Sequence, residues 1–168
     1  MLKKEISGIK FESLEEEKTS AGTKASIKFV GPLQHPQRIR FDFSFRENIH
    51  EKPIKREVID NYGLGKCVIQ AMSIEEIFTE KIHALGSRTA PRDLYDAWFL
   101  LENKAKLDRH LLGKKFAHYK EKVDPKKVLK NINQMQSNWK RDLQMLLKNI
   151  PDFDKTAEKV KKEIIGGS

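Results

Sequence analysis

One cysteine, two tryptophans and no apolar stretch of membrane-spanning length mark this 168-residue sequence first by what it lacks. A lone Cys67 has no partner for a disulfide within the chain. With no CxxC pair and no Cys/His cluster to hold a structural zinc, a reducing cytosol fits best. No apolar run approaches the ~20 residues that cross a bilayer. The start, Met1-Leu2-Lys3-Lys4-Glu5, holds no apolar stretch of signal-peptide length. The expectation is a cytoplasmic protein with neither a membrane span nor a secretory leader. Internal repeats and low-complexity segments are missing too. A chain of this size buries roughly two-thirds of the surface its unfolded form exposes, so it can build a core without covalent staples.

What it does have is charge. Lys and Arg number 33 against 24 Asp and Glu, a formal surplus of +9 that raises the local concentration of polyanions such as nucleotides, tRNA or DNA. Much of the excess sits in the last third, at residues 114–115, 120–130 and 155–162. Lysines on exposed helix faces commonly serve solubility, and that reading stands beside the polyanion one.

The first seventy residues carry strand signals. Ile6, Ile9 and Phe11 fall in a first strand, and residues 14–22, from Leu14 to Gly22, read as a polar, turn-prone connection. Residues 25–30 form a second strand, broken by Gly31-Pro32. From Arg38 to Arg46 the residues alternate strictly, with Ile39, Phe41, Phe43 and Phe45 assigned to the core and Arg40, Asp42 and Ser44 to the opposite face. A short strand around Cys67, Val68 and Ile69 follows, with Cys67 read as a small buried hydrophobe. Gly63-Leu64-Gly65-Lys66 lacks Walker spacing and reads as a hairpin turn.

At Ser73 the period turns helical. Ser73 and Glu76 form a capping box, and Ile74, Ile77, Phe78, Ile82 and Leu85 make one stripe ended by Gly86. Pro91 opens a second helix with Leu94, Trp98 and Leu101 inward. A lysine-rich helix spans residues 108–123. Asp124-Pro125 then starts what reads as the longest helix, from Val128 through Met135, Trp139 and Leu146 to Ile150, stopped by Pro151. Asp152 or Asp154 caps a final amphipathic helix through Ala157, Val160 and Ile164. The division expected is a β-rich part over residues 1–72 and a helical part over residues 73–168.

Chemistry concentrates where the first two helices meet. Glu80, Lys81, Arg88, Arg92, Asp93 and Asp96 crowd one tight turn, and Arg92 and Asp96, four apart, share a helix face. One reading has Arg88 and Arg92 pair with Asp93, Asp96 and Glu80 to lock two helices. The other has Lys81 and an arginine grip phosphate, a task suited to a guanidinium fork and a point-charge ammonium. Asp42 is the second candidate, although one carboxylate cannot by itself hold two Mg²⁺ ions. His35, His50, His83, His110 and His118 are scattered without metal-ligand spacing, and His83 is a polar neighbour of the turn. Trp98 and Trp139 lie on apolar stripes and read as core.

The run Glu80-Lys81-Ile82-His83-Ala84-Leu85-Gly86-Ser87-Arg88, continuing to Arg92-Asp93-Leu94-Tyr95-Asp96, closely resembles the AbiEii/AbiGii toxin family of nucleotidyltransferases. That family's pattern is E-K-x-x-A-L-x-x-R-x-x-x-R-D-x-Y-D, matched here at every position. The resemblance implies an α+β fold, a partial polymerase-β-like nucleotidyltransferase sheet followed by a C-terminal helical bundle. It implies Asp42 as a metal-binding carboxylate, Lys81 and Asp93 as catalytic residues, and Lys81, Arg88 and Arg92 as phosphate contacts. Glu80 and Asp96 are implied as supporting residues. It further implies Mg²⁺, a nucleoside triphosphate such as GTP, an acceptor such as tRNA or other RNA, and a cognate antitoxin. The family pattern begins with a Gly-Gly or Gly-Ser turn and an Asp-x-Asp pair. This sequence starts at the strands after them, so Met1 is read as an internal start or truncated reading frame, without the first two metal carboxylates. A non-catalytic RNA- or antitoxin-binding module is therefore carried as the alternative. An unpaired strand edge would favour a homo-oligomer.

Overall fold

Cross-strand charge pairs and one alternating strand build the first sheet of this computed structural model, which describes residues 10–45, 48–58 and 65–166. Three antiparallel strands, β1 (Lys10–Thr19), β2 (Gly22–Val30) and β3 (Pro36–Ser44), lie in the order β1-β2-β3. The segment read from sequence as a polar connection is strand almost throughout. Polar and charged pairs across the ladder explain this: Glu17 faces Lys24, while Glu15 faces Ser26 and is bonded diagonally by Lys28. An outer strand wet on both faces needs no apolar alternation, so the hydropathy pattern could not show it. The turn shrinks to Ser20-Ala21, closed by Thr19, whose hydroxyl donates to the Gly22 carbonyl at 3.0 Å. Gly22 is required by close approach, since a Cβ there would lie 2.1 Å from the carbonyl oxygen of Phe43. Ile6, Ile9 and Arg46 lie outside the described residues.

β3 corrects a second expectation. Its apolar row is not core: exposure is 47% at Ile39, 40% at Phe41, 54% at Phe43 and 68% at Phe45. A three-stranded layer covers neither of its own faces, and among the described residues the rings of Phe41 and Phe43 stack mainly on each other, centroids 6.3 Å apart.

The chain divides into two compact units, Met1–Asn48 and Ile49–Ser168, each described by itself. The second opens with an antiparallel pair, β4 (Ile54–Val58) and β5 (Cys67–Ala71). Val68, Ile69 and Cys67 are exposed, which corrects the reading of Cys67 as buried: a two-stranded ribbon has no inner layer to hide it in. Gly63 and Leu64 lie outside the described residues. Gly65, at φ +93°, takes the left-handed conformation open to glycine.

Helices α1 (Ile74–Ser87), α2 (Pro91–Glu102), α3 (Arg109–His118), α4 (Pro125–Gln134), α5 (Trp139–Leu143) and α6 (Phe153–Ile165) follow, so the fold is α+β. α1 runs one residue past Gly86, which is buried inside it. The helix expected to run from Pro125 to Ile150 is broken: a 3-10 turn at Gln136–Asn138 separates α4 from α5, where Ser137 and Asn138 are poor helix formers. The apolar stripe nevertheless continues across the break, with Val128, Ile132, Met135, Trp139 and Leu143 buried and Leu146 exposed. Trp139 is fixed by its indole N–H, which donates to the Pro151 carbonyl at 2.9 Å. Phe78, Ile82, Leu85, Leu94 and Ala97 pack with Val160 and Ile164 of α6 into one core, and Trp98 lies half-buried against it. Asp108, Asp124 and Asp152 each accept an N–H of the following helix. Among the described residues no helix is long and apolar enough to cross a membrane.

The capping box at α1 forms only by half. Ser73 accepts the Glu76 N–H at 3.0 Å, but the buried Glu76 carboxylate turns to the preceding loop, accepting the N–H of His50 at 2.6 Å and of Glu51 at 3.2 Å. Glu76→Ala leaves both donors without this acceptor. The expected loss is about 2–3 kcal/mol, read as a lower urea midpoint at unchanged slope, with Glu76→Gln costing less.

Candidate functional site: a carboxylate-centred cation cluster

Two helix ends bring the cluster together. Arg88 follows the last residue of α1, with its N–H bonded to the Ala84 carbonyl at 2.9 Å, and Pro91 starts α2 where its missing N–H costs nothing. The bend is three residues long. It places Asp93 in the first turn of α2, where the helix dipole favours a negative charge, facing the last turns of α1.

Asp93 is 1% exposed, and both its oxygens are taken. Arg88 donates through Nε to Oδ2 at 2.7 Å and through Nη2 to Oδ1 at 3.1 Å, a two-pronged grip. Lys81 Nζ approaches Oδ1 at 3.4 Å and the Asp96 carboxylate at 2.6 Å. The hydrogen bond to Asp93 pushes the Arg88 pKa above its ordinary value. The two arginines of the motif thus part company. Arg88 is held, though 56% of its side chain faces solvent, while Arg92 is exposed and has no ion pair among the described residues. Glu80 joins neither arginine; it pairs with Lys115 of α3, which is fully buried. That corrects the assignment of Lys115 to a solvated face: a lysine whose stem fills the core and whose ammonium meets a carboxylate is paired rather than wet. His83 stacks on Tyr119 with centroids 4.4 Å apart, and its Nε2 lies 3.3 Å from Glu121.

Asp42 belongs to the other unit. On β3 it sits directly across from Lys24, and Glu17 continues the row on β1. The next rows hold Arg40 and Arg38 with Glu15 and Lys28, and a shallow hollow of about 380 Å³ lies over this polar face. The Lys28 ammonium bonded to Glu15 holds that carboxyl below the usual carboxylate range, with Arg38 and Ser26 adding to the effect. Among the described residues no group of three or more His, Cys, Asp or Glu gathers to hold a metal ion. Asp42 offers a single carboxylate, which does not make a two-ion site; one Mg²⁺ held with phosphate oxygens and water is the most it fits.

The family model described as nucleotidyl transferase AbiEii toxin, type IV TA system, matches residues 2–159. The chain belongs to this family. No curated protein and no solved structure matches it. Membership makes it a nucleotidyltransferase toxin of a toxin–antitoxin system, with a nucleotide substrate and an antitoxin partner. In the AbiEii chain the motif residues Lys81, Arg88, Asp93 and Asp96 are brought into one cluster, with Arg92 at its rim. Sequence reasoning missed Lys115, whose partner lies 35 residues away with no spacing rule to join them, and Phe99, whose exposure beside Tyr95 a helical-wheel reading of residues 92–99 would have shown.

Removing Arg88 leaves a buried carboxylate with only Lys81, so Arg88→Ala is expected to cost about 2–3 kcal/mol. Lys81→Ala, which leaves the Arg88 fork in place, should cost ~1 kcal/mol or less. Urea melts give the order. A raised Arg88 pKa contributes stability that is fully present below the ordinary arginine value and lost only as pH rises through the raised one. The gap between wild type and Arg88→Ala should therefore stay level from about pH 6 to about pH 9.

Proposed function

We propose that this AbiEii chain transfers a nucleotide from a nucleoside triphosphate, GTP among them, to a hydroxyl of an RNA acceptor such as tRNA. The observation that carries the reading is a pair of cations fixed by one buried carboxylate beside a third that has no ion pair among the described residues. Lys81 and Arg88 are preorganised, so they lose little freedom when a triphosphate arrives, and Arg92 supplies charge not already neutralised. Asp93 is the positioning residue that aims them. Glu80 and Asp96 support the arrangement through Lys115 and Lys81.

In the reaction an acceptor oxygen attacks the α-phosphorus in line. A new O–P bond forms, the bond from that phosphorus to the oxygen bridging to the β-phosphate breaks, and pyrophosphate leaves while the acceptor proton passes to solvent or a base. Asp42 is the residue proposed to ligate Mg²⁺, which would supply neutralising charge at the phosphates. The chain's own cations screen the triphosphate from its like-charged acceptor and hold the leaving group. A cytoplasmic setting, a part in abortive phage infection and self-association over the exposed row of β3 complete the reading.

The placement of Asp42 opposite Lys24 favours a second reading, in which that carboxylate is a surface ion partner and the chain binds RNA or antitoxin without chemistry. One assay separates the two. The chain is incubated with Mg²⁺, α-labelled nucleoside triphosphates and total tRNA. Label on RNA, lowered a hundredfold or more by Asp42→Asn and by Lys81→Ala, is the expected result. No label from wild type removes the enzyme reading, and salt-dependent RNA binding that survives Asp42→Ala then supports the binding module.

A further inference from the structure

Next to the cation cluster, α2 carries a pair of aromatic rings that the transfer reading does not use. Arg92, Tyr95, Asp96 and Phe99 stand at the i, i+3, i+4 and i+7 positions of one helix face. Tyr95 is half-buried, its ring packed against the core and 5.7 Å from that of Trp98. Phe99 stacks on Tyr95, with centroids 6.2 Å apart and planes inclined by 24°, yet remains 50% exposed. An aromatic ring anchored from beneath and open above is already in place for a flat partner. Charge around the start of α2 is equally defined. Lys81, Arg88 and Arg92 oppose Asp93 and Asp96, three cations to two carboxylates, and the surplus resides on Arg92, which has no ion pair among the described residues. About 10 Å of helix axis separates Arg92 from Phe99, on the order of one extended nucleotide and its neighbour.

We propose that the Tyr95–Phe99 ring pair is a stacking platform for a base of an unpaired RNA strand, with Arg92 holding an adjacent phosphate. Every base presents a π-face, so such a platform is tolerant of sequence but not of pairing: a base inside a duplex is already stacked. A strand rather than a free nucleotide is the occupant, because an open helix face stacks on one side only. A lone nucleotide would gain little from it, whereas a strand adds phosphates attracted by a chain of charge +9. The proposal deepens the nucleotide-transfer reading and rests on it for the choice of RNA as ligand.

The test is binding of a fluorescein-labelled oligoadenylate 12-mer to the whole chain by anisotropy, without triphosphate or Mg²⁺, compared with the same strand in a duplex. Expected is salt-dependent binding that prefers the single strand. It should weaken about tenfold or more in Phe99→Ala and in Phe99→Leu, both with unchanged circular dichroism. Arg92→Gln should lower the salt slope by about one. Unchanged affinity in Phe99→Ala overturns the proposal. So does full affinity in Phe99→Leu, which would mean apolar docking rather than stacking, as for a protein partner. So does equal binding of duplex, of free adenosine triphosphate, or no binding of the single strand. Phe99-dependent binding without label transfer in the assay above would end the transfer reading alone, and transfer without dependence on Phe99 would end this one alone.

Discussion

A carboxylate with 1% of its surface in water, gripped from two sides by cations that the solvent can still reach, is the constraint on which the helical unit turns. Asp93 could not be buried there alone, since an isolated carboxylate in the interior is too costly, and Arg88 and Lys81 would not hold one geometry without it. Each therefore fixes the other. The three-residue bend between α1 and α2, the Pro91 start and the Arg88 cap bring the partners within reach, and the apolar stripe of Phe78, Ile82, Leu85 and Leu94 beneath them supplies the rigidity. In the proposed transfer, stability and function share one device. The pairs that lock two helices also leave a guanidinium and an ammonium within reach of solvent, which is what the phosphate-gripping reading proposed above requires.

A second, quieter arrangement backs it. Glu80 and Lys115 tie α1 to α3, while Glu76 ties α1 to the loop ahead of β4. Successive acidic positions of one helix thus serve separate neighbours, and among the described residues Lys81 is left with Asp93 and Asp96. That division of partners explains why a crowded run of charges does not collapse into one indiscriminate network, and why Arg92 joins no ion pair among the described residues.

How much of this could be read from residues alone depended on the range of the interaction. The helix starts at Ser73, Pro91, Asp108, Asp124 and Asp152 are local chemistry, and they were legible because a cap acts within three residues of itself. The motif from Glu80 to Asp96 was legible as a cluster, because a short bend must bring its charges together. Which charge takes which partner was not, since Arg88 and Arg92 are equivalent in type and differ only in the direction each points. Periodicity misled where its assumption failed. A strict alternation at β3 predicted a covered face and found an uncovered one, and a continuous helical stripe from Val128 to Leu143 passed across a 3-10 break that hydropathy does not register. Lys115 was misjudged because composition sees a lysine and not the Glu80 that arrives from another helix.

The account is tested most directly at the Arg88 Nε–H, the atom that joins Asp93 at 2.7 Å. In nitrogen-15 spectra of the whole chain it should appear as a separate, slowly exchanging resonance that is lost in Asp93→Asn. On addition of a nucleoside triphosphate it should persist while the Arg92 and Lys81 side-chain signals shift. An Arg88 Nε–H that exchanges as fast as that of free arginine, or one released when the triphosphate binds, would contradict a carboxylate lock that holds the cations ready for phosphate.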